Sequence, residues 1–274
     1  MNASTSHFNA GTAHWSAVFS LFMGVTSLIA AEFIPVSLLT PIAQGLAISE
    51  GLAGHSVPAE GVFGVITSLL LAPLTKNIAR RYILLPFSML LVVANIIVAM
   101  APNYPVMLMG RGILGVCVGG FWSMASAVTL QLVPTKDIPR ALSIVYAGVS
   151  VATIISLPLA SYLGHLLGWR NVFHMAALMG LAALIWQFVT LPSMTARGGN
   201  DFRSMFGLLK NNWVLTGIMA TISSYGGEQR SVSDLRPLLE THSDSIGTTH
   251  SSLVMTRGVS NSAGNLVSRV MFGN

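Results

Sequence analysis

Long apolar stretches broken by short polar punctuation organise the first two-thirds of the chain. Six of them reach about 20 mostly apolar residues, the length a helix needs to cross the hydrocarbon core of a bilayer. They run from 15–38, 56–74, 82–101, 105–131, 139–163 and 171–191. Gly, Pro and Asn collect between them, as in the connector Ala101-Pro-Asn-Tyr-Pro105. Apolar and polar residues do not alternate within the runs, so the two-residue period of a barrel strand is absent. The second run is the least regular, with Pro58 and Glu60 at its start. The pattern predicts an all-α integral membrane protein, a six-helix transmembrane bundle over 15–191 behind a short polar lead at 1–14.

The pattern changes after the sixth run. Residues 213–222 are apolar for only ten positions, and continuing them would carry Glu228, Arg230, Asp234 and Arg236 to membrane depth. Each charge costs about 2.5–3.5 kcal/mol near a helix centre. Residues 192–212 therefore read as a cytoplasmic loop, and 213–274 as a degenerate seventh-span remnant running into a polar, unfolded tail. Residues 223–274 hold four basic and four acidic residues with 15 Ser or Thr. The 222 residues before them hold ten basic and five acidic ones.

Composition sharpens the class. Charged residues make up 8% of the 274 positions and hydrophobic ones 53%, with a mean hydropathy of +0.69. A soluble domain is about 25% charged, so a soluble enzyme and a disordered chain are both excluded. The net charge of +5 does not mark a nucleic-acid binder, because the basic residues lie between apolar runs rather than in a patch. Their placement speaks to orientation. Lys76, Arg80 and Arg81 follow the second run, Lys136 and Arg140 the fourth, and Arg197, Arg203 and Lys210 the sixth, whereas the opposite loops hold only Arg170. This bias predicts a cytoplasmic N-terminus.

Two charges lie well inside apolar runs, away from their ends. Glu32, in Ala30-Ala-Glu-Phe-Ile-Pro35, is expensive there unless it is protonated or faces a polar cavity, which makes it a candidate proton carrier. A structural carboxyl bonded to a neighbouring helix is the alternative. Arg111, in Gly110-Arg-Gly-Ile-Leu-Gly115, lies about six residues into its run. Either it snorkels to the headgroups, or it faces the interior and pairs with a carboxylate, Glu32 first among candidates, or with an anionic substrate group. Pro35 and Pro41 break or kink the end of the first helix.

Gly112, Gly115, Gly119 and Gly120 share part of one helix surface, and Gly115 to Gly119 is a GxxxG close-packing pattern. Trp122, Ser126, Thr129 and Gln131 beyond it are candidates to line a cavity, with ordinary packing equally compatible. In the fifth run Gly148, Ala152 and Gly164 surround Pro158, a pattern for tight packing and a bend, whether between sliding bundles or as a structural kink. Asn95 suits an interhelical hydrogen bond. The seven His are scattered, with no HExxH, GxSxG or Walker A pattern, and the single Cys117 offers no disulfide or Cys-based metal site. No cofactor or metal is expected, and the chain is not read as an enzyme.

Together these stretches resemble the N-terminal half of a major facilitator superfamily transporter. The similarity is to the bacterial drug:proton antiporter branch that includes sugar and purine ribonucleoside efflux permeases. It is carried by Glu32-Phe-Ile-Pro-Val-Ser-Leu-Leu-Thr-Pro41, by Gly110-Arg111-Gly-Ile-Leu-Gly115 running on to Trp122, by Gly148-Val-Ser-Val-Ala152 with Pro158 and Gly164, and by Gly168-Trp-Arg-Asn-Val-Phe173. The resemblance implies alternating access and proton-driven efflux of a sugar, nucleoside or drug across a bacterial inner membrane. On it, Glu32 and Arg111 fall on proton-coupling positions, and Lys76, Arg80 and Arg81 on a cytoplasmic gating loop. That loop keeps the basic half of the family pattern and lacks its acid, and Ala152 and Ala160 replace glycines. The family has twelve spans in two halves, so the resemblance further implies a homodimer or a second half-transporter as partner. Ser224-Tyr-Gly-Gly227, Leu235-Arg-Pro-Leu-Leu-Glu240 and Gly264-Asn265 still echo it in the tail, which reads as a decayed or truncated copy. The rival expectation is a non-transporting membrane remnant or regulator.

Overall fold

A computed structural model describes residues 13–75, 78–194 and 216, apart from the side chains at 72 and 73. The chain divides into two compact units, Met1–Asp201 and Phe202–Asn274. Nearly all described residues belong to the first. The polar lead up to residue 12, Lys76, the basic loop with Arg197, Arg203 and Lys210, and the seventh-span remnant with its tail, Thr216 apart, lie outside the described residues.

Every regular element among the described residues is helical. Helix α1 is Trp15–Ser37, α4 Ser56–Leu74, α5 Arg80–Ala99, α6 Tyr104–Leu132, α7 Ile138–Leu167 and α8 Trp169–Thr190, with the short α2 (Leu39–Leu46) and α3 (Glu50–Gly54) between α1 and α4. These form the six-helix membrane bundle that the apolar runs predict. Helices α1, α5, α6, α7 and α8 are long and apolar enough to cross a membrane, and α4 matches them in length with 19 residues.

The segment 39–55, expected as a connector, is instead mostly helical. Pro41 is accommodated because it stands in the first turn of α2, where an amide proton has no intrahelical partner. Ala47 closes that helix with a left-handed φ of 53°, and Ile48 N donates back to Ala43 O at 3.0 Å. Ser49 then caps α3 by accepting from Leu52 N at 3.2 Å. Helix α7 runs unbroken through Pro158 and one turn past the predicted end.

Helix α1 is the hub, packing against α7 and α8, while α6 takes α4 on one side and α5 on the other, and α5 meets α8. Buried apolar side chains form two clusters. The larger gathers Leu21, Leu28, Leu84, Leu114, Phe121, Val128 and Val145, and the smaller gathers Leu38, Ile42, Val98, Met107, Trp169 and Phe173. In each helix that crosses from one cluster to the other, the crossing point is polar. Glu32 stands between Ala31 and Ile34, Asn95 between Ala94 and Val98, Arg111 between Met107 and Leu114, and Ser156 between Ala152 and Ala160. The bundle thus holds a polar stratum between two apolar cores.

Cations brace the helix ends. Arg81 donates to the Phe188 carbonyl at 2.8 Å in the last turn of α8, where carbonyls lack helical partners. Arg140 lies 5.1 Å from the Trp15 ring centre at the start of α1. At the other end Arg170 stacks 4.2 Å over Trp169 and donates to the Ala101 carbonyl at 3.0 Å.

A candidate coupling site around Arg111

Pro35 creates the first feature of the site. It has no amide proton, so the Ala31 carbonyl one turn earlier in α1 loses its helical donor. Arg111 supplies the replacement, with Nη1 donating to Ala31 O at 3.0 Å and Nη2 standing 3.4 Å from Glu32 O. The guanidinium is 0% exposed. Of the two alternatives left by the sequence, snorkelling is ruled out, and Arg111 faces the interior.

The carboxylate that meets it is Glu60 of α4, not Glu32. Nη2 of Arg111 forms an ion pair with Oε2 of Glu60, and both side chains are withdrawn from solvent. Glu32 contributes its backbone carbonyl and stays half-buried beside the pair. The ion pair is single-pronged. Oε1 of Glu60 and Nε of Arg111 have no hydrogen-bond partner among the described residues.

Glycines set this approach. A side chain at Gly115 would strike the Glu60 backbone, one at Gly119 the Gly64 backbone, and one at Gly112 would sit 3.1 Å from the Phe63 ring. The GxxxG pattern is therefore the seam on which α4 closes against α6, and it carries Glu60 to within reach of Arg111, one turn before Gly115. Gly120 turns the other way, against the Phe87 ring of α5.

Sequence reasoning used Glu60 only as a mark against its span. The usable signal was the pairing requirement of a buried arginine, since a second acid stood in a neighbouring apolar run.

The candidate cavity residues do not form one set. Trp122 stacks on Tyr146 of α7 at 5.8 Å between ring centres. Thr129 is buried and donates to the Ala125 carbonyl of its own helix at 2.7 Å. Ser126 and Gln131 are half-buried. Asn95 donates to the Leu91 carbonyl at 2.8 Å, within α5 rather than across helices.

In α7 the small residues Gly148, Ala152, Ser156, Ala160 and Gly164 form one buried stripe. It faces α1, with Gly148 close to the Phe22 carbonyl and Thr26, and Gly164 against Leu38. This is packing inside the bundle. Pro158 stands on the exposed side of α7. Of the basic loop, Arg81 is committed to α8 and Arg80 is half-buried.

A second polar cluster was not foreseen. Gln187 of α8, 0% exposed, accepts from the Ser88 hydroxyl at 2.5 Å and donates to the Ser20 carbonyl at 3.3 Å, tying α5, α8 and α1 together. A glutamine inside an apolar run was its sequence signal.

Comparison with known proteins agrees with the fold. A family model described as Major Facilitator Superfamily matches residues 7–273. The purine ribonucleoside efflux pump NepI of Salmonella enteritidis is 41% identical over 225 residues, covering 82% of this chain and 57% of the relative. Its counterpart in Salmonella paratyphi A is 40% identical over the same span and shares. The chain thus spans about half the length of the curated relatives it matches.

Among solved structures, a bacterial homolog of the human lysosomal transporter Spinster, inward-facing and unoccupied, aligns with a TM-score of 0.60 at 15% identity. It covers 69% of this chain and 46% of that one. A POT family transporter in complex with 5-aminolevulinic acid aligns at 0.57 and 18% identity, covering 78% and 47%. At such identities these two support the fold alone.

Proposed function

The chain belongs to the major facilitator superfamily, and from that premise we propose that it is a proton-coupled exporter of a small organic solute, with purine ribonucleosides first among the candidates. The substrate class is argued from the 41% identity to purine ribonucleoside efflux pumps. Sugars and amphipathic drugs follow it in the order of testing.

Proton coupling is argued from one observation: a fully buried guanidinium with two acids of other helices around it, in a membrane protein where an unneeded charge is costly. Glu32 is the half-buried acid of this group and Glu60 the buried one, and Arg111 fixes the helix that carries Glu32. In this reading α4, α6 and the first half of the site rock as one body against a facing half, as the alternating access of such folds requires. A second copy of the chain, or a separate half-transporter, supplies that facing half. The bias of basic residues toward one set of loops supports a cytoplasmic N-terminus in a bacterial inner membrane.

The test is efflux from proteoliposomes carrying the chain, under an imposed pH gradient, with nucleosides, sugars and cationic dyes as solutes. Nucleoside movement that needs the gradient and disappears in Glu32→Gln is the expected result. Movement at full rate without the gradient, or in Glu32→Gln, would remove proton coupling from the reading. No movement of any solute by inserted, folded protein would leave the chain a non-transporting membrane protein.

A further inference from the structure

We infer that Glu60, rather than Glu32, holds the exchangeable proton of this bundle. The inference rests on the proton-coupled reading and names the group within it that takes the proton up.

One guanidinium serves two carboxylates in the polar stratum. Arg111 feels both Glu60 and Glu32, and the two acids feel each other. With all three ionised the stratum carries one uncompensated negative charge inside an apolar bundle, a costly arrangement. One proton on either acid removes it.

The surroundings choose between them. Glu32 is half-buried. Glu60 is 4% exposed. An ionised carboxylate has about four acceptor sites to satisfy, yet Glu60 meets one charge at one oxygen, and its Oε1 has no hydrogen-bond partner among the described residues. Buried arginine–carboxylate pairs are frequently two-pronged, which adds energy and fixes their geometry. Here Nη1 is committed to Ala31 and Nε has no partner among the described residues.

The step balances without any other reactant. A proton from water adds to Oε1 of Glu60 and an O–H bond forms. Arg111 keeps all its protons, and its positive charge is then balanced by ionised Glu32. Release reverses this, and the ion pair of Glu60 with Arg111 is the proton-free state. Among the other groups near Glu60, Cys117 of α6 is buried and its thiol is held on the Phe87 carbonyl at 2.9 Å.

The test is the protonated-carboxyl infrared band of the whole chain in liposomes, titrated with pH and with no solute present. Aspartate keeps an acid at the position but changes the frequency of its carbonyl stretch. The expected result is a band that moves in Glu60→Asp and stays in place in Glu32→Asp. Both Glu60→Gln and Glu32→Gln should abolish it, because either leaves a neutral pair with Arg111 that needs no proton. A band that moves in Glu32→Asp but not in Glu60→Asp, or that is missing from the native chain at every pH, overturns the inference. Because the band is read without transport, an efflux assay that fails while the band moves in Glu60→Asp overturns the transport reading and still places the proton on Glu60.

Discussion

Arg111 joins two unrelated demands: a backbone carbonyl orphaned by Pro35 and a carboxylate brought in by α4. Removing a partner from a buried pair leaves the other charge uncompensated, at a cost of about 3–5 kcal/mol, whereas replacing both by apolar groups is often neutral or stabilising. Arg111→Ala should therefore lower the melting temperature in detergent steeply. Arg111→Met combined with Glu60→Leu should recover most of that loss while remaining inactive in efflux. If the double variant melts as low as the single one, the ion pair is not what sets the stability. Gln187 offers a second case. Gln187→Leu leaves the buried Ser88 hydroxyl without its acceptor and should destabilise the chain by about 1–3 kcal/mol, read in the same melt. A hydroxyl-free partner, Ser88→Ala, should restore part of it.

Helix pairs are set by which face is narrow. A methyl group at Gly115 or Gly119 would meet α4 backbone, which cannot swing aside as a side chain can. Gly115→Ala and Gly119→Ala should each destabilise by roughly 1–3 kcal/mol through overpacking. Gly61, on the same helix pair but with nothing within 4 Å of its would-be side chain, should accept alanine with no loss. Equal melting temperatures for all three variants would contradict the seam.

The helices themselves were legible, because 20-residue apolar runs and turn residues leave few alternatives in a bilayer. The GxxxG seam was legible as a close-packing face, but not its partner, since a glycine records the space it leaves and not what fills it. Glu60 was misjudged for a related reason. Hydropathy treats a buried acid as a flaw in a span, and only the position of Arg111 across the seam turns it into a paired group. Helices α2 and α3 were missed because Pro41 reads as a breaker unless the first turn of a helix is known to start at Leu39.

The whole bundle is asymmetric along its axis. The polar stratum divides a larger apolar core from a smaller one, and the smaller core adjoins the end where α1 finishes and α4 and α6 begin, away from Arg81 and Arg140. The stripe of small residues on α7 is spent on α1, so its other side presents Val151, Ile154, Ile155, Leu159, Tyr162 and Leu166 outward. Broad aliphatic surface of that kind meets lipid or another helix without a fitted groove. The off-centre stratum also has an electrical meaning. Membrane voltage does about 2.3 kcal/mol of work per 100 mV on each unit charge carried fully across. On the proposed reading, with the basic loops in the cytoplasm, a proton arriving from outside passes the smaller core before it binds. It then passes the larger one on its way in. On that reading the larger share of the voltage drop falls on release, and an inside-negative potential should hasten proton delivery to the cytoplasm more than it raises occupancy of the site.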